Sequence, residues 1–222
     1  APLLLYLAAA GVRTLGVVDD DVVDLSNLQR QVIHTTSRIG KAKVASAKFA
    51  VHDVNPEVQL IPYCERLTNT NVLQLIGEHD IIADGSDNFE TRFLLADACH
   101  LAGKTLVSAA ILRFEGQIST FKSHLGSKFP CYRCLYREPP PQDMIPSCSE
   151  GGVLGSLAGT VGSLQATEVL KEVMGIGNSL AGRLLLYDAL NVKFRKIKLT
   201  RDDNCPLCGN QPTIKDLSGH EG

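Results

Sequence analysis

The sequence predicts an α/β protein with a doubly wound, mostly parallel sheet that is continued by antiparallel strands. From residue 2 to residue 112, short apolar runs typical of buried parallel strands alternate with helical segments. After residue 112 the pattern changes to strand-like segments that flank two Cys-x-x-Cys pairs. With 222 residues and 44% hydrophobic content, the chain can bury one substantial core, so we expect a single domain.

The individual elements follow from periodicity and from helix stop signals. Pro2 at the first helical position and Gly11 as a stop define the opening helix. Further helices are predicted over 41–54, 70–77, 89–102 and 152–174, and strands over 14–19, 57–63, 80–84, 105–110, 116–122, 184–188 and 192–199. We expect an ordered loop over 22–40, a Pro-rich surface loop over 138–146, and a polar tail or linker over 209–222.

Charge and composition exclude several classes of protein. The net charge is −2 with acids and bases interspersed, so no basic field is present that would attract nucleic acid. The apolar opening over residues 2–10 is too short to cross a bilayer, and no signal peptide is recognisable. We therefore expect a soluble, cytoplasmic protein with neither a nucleic-acid nor a membrane partner. Its seven cysteines favour metal binding or thiol chemistry over a disulfide scaffold.

Asp19 follows the first predicted strand, where Rossmann-like nucleotide-binding folds place the acid that holds ribose hydroxyls. The glycine-rich turn of such folds does not occur in the chain and would precede Pro2, so we interpret the chain as N-terminally truncated. Taken alone, an Asp in this place is as well explained as a strand end. The first half by itself also fits a nicotinamide-dependent oxidoreductase.

Three long strings narrow this choice. They are VDDDVVDLSNLQRQ from Val18, DGSDNFETR over 84–92 and GSLQATEVLK over 162–171. Together they closely resemble the molybdopterin-synthase and thiazole-synthesis adenylyltransferases, the bacterial relatives of ubiquitin-activating enzymes. The resemblance runs from the first residue to about Gly209. It implies a single adenylyltransferase domain whose residues 1–112 bind nucleotide and whose residues 113–208 bind the carrier protein and zinc.

The resemblance also implies a reaction and its partners. The enzyme would use ATP to adenylylate the C-terminal glycine carboxylate of a ubiquitin-like sulfur-carrier protein that ends in Gly-Gly, with release of pyrophosphate. A sulfur donor, either a cysteine desulfurase or a rhodanese-type protein, would then form the thiocarboxylate. Members of the family work as homodimers, so a homodimer is expected. A zinc-stabilised module without catalysis remains an alternative, because a chain without its first strand and glycine turn need not hold ATP.

By the same resemblance, Asp19 holds the ribose, Asn27 and Arg30 contact the phosphates, Lys43 stabilises the transferred group and Asp87 binds Mg²⁺. The full set expected to contact the nucleotide is Asp19, Ser26, Asn27, Leu28, Gln29, Arg30, Lys43, Asp87 and Asn88. The chemistry agrees, because joining AMP to a carboxylate brings two anions together and requires fixed cations and a metal ion. Arg30 offers a planar fork and Lys43 a point charge. Asn88 also suits a helix cap.

The four paired cysteines are Cys131, Cys134, Cys205 and Cys208. Two chelating pairs predict a closed, tetrahedral structural Zn²⁺ site that ties the end of the chain to its middle. Two thioredoxin-like redox motifs are the alternative. We disfavour them because neither pair is expected to open a helix after a strand.

Cys148 lies between the Pro-rich loop and the last long helix, whose N-terminus would lower a thiol pKa. In some members of the family, a cysteine in this place forms a thioester or an acyl-persulfide link to the carrier, while others do not need it. A covalent role for Cys148 and an ordinary loop thiol therefore both stay open. Cys64 and Cys99 are expected to be buried as small apolar residues.

Overall fold

A computed structural model of the chain describes residues 1–140 and 152–220. Its helices are Pro2–Ala9 (α1), Lys43–Val54 (α2), Val72–Gly77 (α3), Phe89–Leu101 (α4), Tyr132–Leu135 (α5) and Gly155–Met174 (α6). Its strands are Thr14–Val18 (β1), Gln59–Tyr63 (β2), Ile81–Asp84 (β3), Thr105–Leu112 (β4), Glu115–Phe121 (β5), Arg183–Asp188 (β6) and Lys193–Lys198 (β7). Every helix and strand predicted from the sequence is present, and the short helix α5 is an addition.

The strands form two sheets, and this differs from the single, mostly parallel sheet that the sequence predicts. β1 pairs with β2 in parallel, while the second sheet has the order β3-β4-β5-β6-β7. Only β3 and β4 are parallel in that sheet, and its other three pairs are antiparallel. Connection length explains two of these pairs, because the few residues between β4 and β5 and between β6 and β7 can only reverse the chain. The connection between β5 and β6 contains α6, so its length does not dictate their antiparallel pairing. The predicted mixed α/β fold is confirmed, but the prediction that most strand pairs are parallel is wrong.

Both sheets nevertheless share one hydrophobic cluster. Leu15 of β1, Leu60 of β2, Val107 of β4 and Val169 of α6 are all buried in it. Helix α6 also crosses to the carboxyl end of β3, where the Gln165 side-chain amide donates to two backbone carbonyl oxygens, those of Asp84 at 2.7 Å and Val107 at 3.0 Å. The helix thereby joins the two sheets.

The C-terminal segment over residues 209–220 contains no helix or strand, yet it is docked on the domain. Leu217 is 5% exposed and packs in a cluster with buried residues of α4, β4 and β5. His220 Nε2 lies 2.8 Å from Asp97 Oδ2, and Asp97 is completely buried on α4. The segment that the sequence describes as a polar tail therefore covers part of the core.

Two further features of the described residues bear on the sequence predictions. None of the helices combines the length and the apolar character that a membrane crossing requires. Cys99 is buried, as expected, but the expectation that Cys64 is buried is wrong, since Cys64 is exposed. It follows the last residue of β2, which is an edge strand, and so lacks a neighbour that would cover it.

The docked C-terminal segment can be tested by truncating Leu217. We expect Leu217→Ala to lower the free energy of unfolding by about 2 kcal/mol, because a buried leucine loses its packing and leaves a cavity. Leu125 is 58% exposed, so Leu125→Ala is the matched control and should change stability little. Chemical denaturation measures both, and equal effects of the two substitutions would show that Leu217 is not part of the core.

Candidate active site and four-cysteine centre

The loop that follows β1 is held in shape by its own side chains. The Asp24 carboxylate accepts hydrogen bonds from the Ser26 backbone amide at 2.8 Å and from the Ser26 hydroxyl at 2.5 Å. This caps a short 3₁₀ turn over Leu25–Asn27. Arg30 folds back over the turn. Its backbone amide donates a hydrogen bond to the Asn27 carbonyl oxygen and its Nη1 donates one to the Ser26 carbonyl oxygen, each at 3.0 Å. The guanidinium is thus fixed close to Asn27, as the predicted roles of both residues require.

The same loop lies against the first turn of α6. The Gln29 side-chain amide donates to the Val153 carbonyl oxygen at 3.4 Å. A Cβ atom at Gly155 would overlap the Gln29 backbone carbonyl, so only glycine allows the two segments to approach this closely. Leu28 is half-buried at the end of the 3₁₀ turn. The loop after β1 is therefore supported by α6 as well as by its own hydrogen bonds.

Lys43 begins α2 and faces the acidic triplet at the end of β1. Its Nζ lies 2.6 Å from Asp21 Oδ2 and 3.9 Å from Asp19 Oδ1. The Asp21 backbone amide in turn donates to Asp19 Oδ1 at 2.9 Å. Burial raises the pKa of Asp19, and the Asp21 amide and Lys43 act in the opposite direction. The structure thus brings Asp19 and Lys43 together, and it adds Asp21, to which the sequence analysis gives no role.

At the end of β3, two neighbouring carboxylates have different surroundings. Asp84 is 3% exposed, and its oxygens accept from the Ser86 amide at 2.9 Å, the Ser86 hydroxyl at 2.7 Å and the Ser108 hydroxyl at 2.8 Å. Asp87 is exposed. A divalent cation such as Mg²⁺ takes oxygen ligands that remain accessible, so the donor set fits Asp87 rather than Asp84.

Asn88 follows Asp87 and caps α4. Its side-chain oxygen accepts a hydrogen bond from the Thr91 backbone amide at 2.8 Å, and its backbone is extended, as expected at an N-cap. The helix-cap interpretation of Asn88 is therefore confirmed. Its contact with nucleotide stays a prediction.

Within the described residues, no hydrogen bond or ion pair joins the Asp87 side chain to Arg30 or Lys43. Helix α6 connects the two loops. Its first turn contacts Gln29 in the loop after β1, and its Gln165 side chain binds the Asp84 carbonyl oxygen at the end of β3. Six residues support the candidate site but were not recognisable as functional from the sequence: Asp21, His34, Ser46, Arg92, Ser108 and Gln165. Arg92 and Gln165 stand inside two of the strings that carry the resemblance, and that was the signal available for them.

A buried histidine, His34, joins the long loop after β1 to α2. His34 is 8% exposed, and its Nδ1 lies 2.8 Å from the hydroxyl oxygen of the fully buried Ser46. Burial, together with the positive charges of Lys43, the N-terminus and Arg38, lowers the pKa of His34 to about 4. The imidazole is therefore neutral at physiological pH, and it holds the loop against the helix that begins with Lys43.

The four paired cysteines converge on one point. The sulfur of Cys131 lies 3.8 Å from that of Cys134 and 3.4 Å from that of Cys205, and Cys134 and Cys208 are 3.4 Å apart. All four sulfurs lie within 4.8 Å of one another. A tetrahedral Zn²⁺ with bonds of about 2.3 Å would place its sulfurs about 3.8 Å apart, so the cluster fits this ion. Because the sulfurs hydrogen-bond to one another, the pKa of Cys134 is lowered while the pKa values of Cys131 and Cys208 are raised, so without a metal the cluster holds its negative charge on one sulfur.

Backbone contacts support the cluster from outside. Arg201 donates to the Cys208 carbonyl oxygen from Nη2 at 2.6 Å and from Nε at 3.0 Å, and the Asp202 amide donates to the Cys134 sulfur at 3.4 Å. Cys131 does begin a short helix, α5, contrary to the expectation used against a redox motif. The convergence of both pairs nevertheless favours metal binding over two separate redox sites. Cys148 lies outside the described residues.

Comparisons with known proteins place this geometry in a family. A model of the ThiF family matches residues 1–207. The chain belongs to the ThiF family. This confirms the family resemblance inferred from the sequence. The ThiF-family chain is 51% identical over 221 residues to the adenylyltransferase and sulfurtransferase MOCS3 of Bos taurus, which covers 99% of this chain and 48% of that protein.

Two further proteins are similar to this chain, one in sequence and one in fold. The chain is 48% identical over 222 residues to the sulfur carrier protein adenylyltransferase of Thermus thermophilus, with 99% of this chain and 82% of that protein covered. A crystal structure of E. coli MccB shares the fold at a TM-score of 0.81 and 18% identity, covering 95% of this chain and 62% of that one. The chain spans about half the length of the MOCS3 relatives that it matches.

His34 predicts a specific dependence of stability on pH. The pKa of His34 is about 4 in the folded protein against 6.5 as its ordinary value, so between these values the unfolded chain binds more protons. The stability contributed by His34 is present above about pH 6.5 and is lost as pH falls towards about 4. We expect His34→Gln to flatten this loss when denaturation midpoints are compared at about pH 7 and about pH 5. His52 is exposed, and the slope of a His52→Gln control should match the wild type.

If the four-cysteine cluster holds zinc, loss of one cysteine should remove zinc and stability together. We expect Cys205→Ser to lower both the zinc content and the thermal midpoint, because a structural zinc site with three thiolates binds the ion less tightly and holds the chain end less firmly. Cys64→Ser is the matched control, since Cys64 is exposed and outside the cluster. Elemental analysis and thermal denaturation measure both effects. Retention of zinc at an unchanged midpoint in Cys205→Ser would rule out the site.

Proposed function

We propose that this chain is the adenylyltransferase part of a protein that activates the C-terminal glycine carboxylate of a ubiquitin-like sulfur carrier ending in Gly-Gly. The observation that carries the proposal is the ammonium of Lys43 beside Asp19 and Asp21, next to the loop that fixes Arg30. Two cations held at the end of a parallel strand suit the phosphates of ATP. The names of the MOCS3 and Thermus relatives support the same substrate class.

The reaction consists of attack by a carrier carboxylate oxygen on the α-phosphorus of ATP. The bond from the α-phosphorus to the bridging oxygen breaks, pyrophosphate leaves with the electron pair, and an acyl-adenylate remains. We assign ribose binding to Asp19, phosphate binding to Asn27 and Arg30, and stabilisation of the transferred phosphoryl group to Lys43. Ser26, Leu28 and Gln29 shape the same loop. The cations neutralise charge as two anions approach each other.

Asp87 is the residue that would hold Mg²⁺. Asn88 caps α4 and would thereby keep the preceding Asp87 in place. A bound Mg²⁺ supplies additional positive charge at the phosphates. Asp84, whose oxygens are occupied by hydroxyl and amide donors, has a supporting role. The exposure of Asp87 supports its proposed role as the cation ligand, in contrast to the supporting role of Asp84.

Lys43 has to leave part of its ion pair when ATP arrives. Asp21 is two-thirds exposed, with 68% of its side chain accessible, and an exposed ion pair of this kind is weak. A polyphosphate with several negative charges can therefore compete with Asp21 for the ammonium. In the absence of nucleotide, Asp21 keeps the Lys43 side chain extended toward the site.

The second half of the chain has supporting roles in this proposal. The Zn²⁺ held by Cys131, Cys134, Cys205 and Cys208 fixes its structure, and residues 113–208 receive the carrier. A sulfur donor of the cysteine desulfurase or rhodanese type then converts the acyl-adenylate to a thiocarboxylate, with or without a covalent step at Cys148. The chain matches 82% of the Thermus relative, which is named for adenylylation alone, and this supports giving adenylylation to the chain itself. We further propose a homodimer in the cytoplasm.

Exchange between pyrophosphate and ATP that depends on the carrier tests the proposal. We expect the full-length protein to catalyse this exchange with a sulfur carrier ending in Gly-Gly and to lose it when the carrier lacks its final glycine. A nicotinamide-dependent oxidoreductase or a zinc-stabilised module would show no exchange. Failure with every ubiquitin-like carrier would exclude the proposed function.

Lys43→Ala tests the central cation of the site. We expect the exchange rate to fall by about a hundredfold or more, since an aligned charge on the reacting phosphate is removed. Lys41 is exposed and lies two positions earlier, so Lys41→Ala is the matched control and should retain the wild-type rate. A similar small effect of both substitutions would contradict the role of Lys43.

A further inference from the structure

The turn between β4 and β5 projects from the edge of the sheet at which the candidate site lies. Asp84, the last residue of β3, is paired with Ser108, and β4 continues from there to Leu112. Because β3 and β4 are parallel, the turn lies beyond the carboxyl end of β3, on the side where Asp87 follows. Arg113 is the first residue of this turn.

Arg113 has an unusual backbone conformation. Its φ is 52°, in the left-handed region that favours glycine and that an arginine adopts only at a cost in stability. The side chain is exposed, so packing in the core does not offset this cost. Glycine or asparagine would form such a turn with less strain, and strained residues are concentrated at functional sites. The turn therefore indicates a role for the arginine side chain itself.

Direct contacts connect Arg113 with the loop after β1. Its backbone forms an isolated parallel β-bridge with Val153, just before α6. The Val153 carbonyl oxygen accepts the hydrogen bond from the Gln29 side chain at 3.4 Å, and Gly155 approaches the Gln29 backbone so closely that a Cβ atom would overlap it. Arg30 is the next residue in that loop. The turn after β4, the start of α6 and the loop after β1 therefore meet at one place.

The turn itself is held in place from two sides. A Cβ atom at Gly116 would overlap the Val161 side chain, so the hairpin packs directly on α6. The Ala189 amide, in the turn between β6 and β7, donates a hydrogen bond to the Phe114 carbonyl oxygen at 2.9 Å. The backbone of Arg113 is thus fixed relative to the candidate site, although its side chain is exposed.

The proposed reaction involves a second anion besides ATP, namely the terminal carboxylate of the carrier. The other two cations of the site already have partners, since Lys43 is paired with Asp21 and the Arg30 guanidinium donates to the Ser26 carbonyl oxygen. Within residues 1–140 and 152–220, no carboxylate forms an ion pair with Arg113. An arginine guanidinium can bind a carboxylate through two parallel hydrogen bonds, which makes it the side chain best suited to this anion.

We propose that Arg113 binds the C-terminal carboxylate of the carrier and holds it for attack on the α-phosphorus. Arg30 and Lys43 hold the phosphates, so each of the two anions is neutralised by its own cation before they meet. This inference rests on the proposed function, because it names the contact by which the second substrate of that reaction is bound.

Three variants of the full-length protein test this role. Arg113→Asn removes the guanidinium without adding strain, because asparagine tolerates the left-handed region, and Arg113→Lys keeps the charge but loses the planar fork. Arg13→Asn is the matched control, since Arg13 is also exposed but precedes β1, at the end of that strand opposite to Asp19. Carrier-dependent exchange between pyrophosphate and ATP gives the KM for the carrier and the rate at saturating carrier. Isothermal titration gives the affinity for ATP.

We expect Arg113→Asn to raise the KM for the carrier by about tenfold or more, because a charge-assisted contact with the carboxylate is lost. The rate at saturating carrier and the affinity for ATP should stay within about threefold of wild type, since the contact is made in the bound substrate as well as during the reaction. Arg113→Lys should give an intermediate KM, and Arg13→Asn should match the wild type.

An unchanged carrier KM in Arg113→Asn, or an equal increase in Arg13→Asn, would overturn the role of Arg113. A loss of ATP affinity at an unchanged carrier KM would also overturn it, because the guanidinium would then bind phosphate. Each of these results leaves exchange by the wild type, and so the proposed function, intact. A wild-type protein that shows no carrier-dependent exchange would overturn both.

Discussion

The buried carboxylate of Asp84 is the contact on which the candidate site depends. It ends β3, binds Ser86 in the next loop and Ser108 on the neighbouring strand, and its backbone carbonyl receives Gln165 from α6. A buried charge is tolerated only when its oxygens are satisfied, so these partners are required and not incidental. Strand, loop and long helix are consequently fixed relative to each other, and Asp87 is left accessible at the surface.

A second constraint is the balance of charge at the end of β1. Asp19, Asp21 and Lys43 lie within ion-pair distance, so the lysine is already oriented when no nucleotide is present. Under the proposed function, Lys43 exchanges its contact with Asp21 for ATP during binding, so the charge is already in place for the chemical step. The loop over residues 25–31 adds Arg30 by the same principle, since its turn is closed by Asp24 before any ligand binds.

The second half of the chain is held by different means. Strand β7 is exposed along its whole length, so a hydrophobic core cannot be its main support. The four-cysteine cluster ties residues 131–134 to residues 205–208, and the segment that follows packs Leu217 and His220 onto α4. The strands β5 and β6 share a hydrophobic cluster with α6, so the four-cysteine cluster adds to that packing at the end of the chain and does not replace it. The Arg133–Asp97 pair extends this support to α4 in the first half of the chain.

The sequence by itself determined the order and type of the described helices and strands except the short helix α5, and it also determined the four cysteines of the cluster and the family. These follow from signals that are local or fixed in spacing: apolar periodicity, helix caps, chelating pairs and long ordered strings. The tertiary structure alone decided that antiparallel pairs outnumber parallel ones, that Asp21 and not only Asp19 faces Lys43, and that the polar tail is docked. It also decided that Asp84 is buried while Asp87 is accessible. The physical reason is that a carboxylate's role depends on its partners and its exposure, and residues such as Ser108 and Gln165 reach it only once the chain is folded.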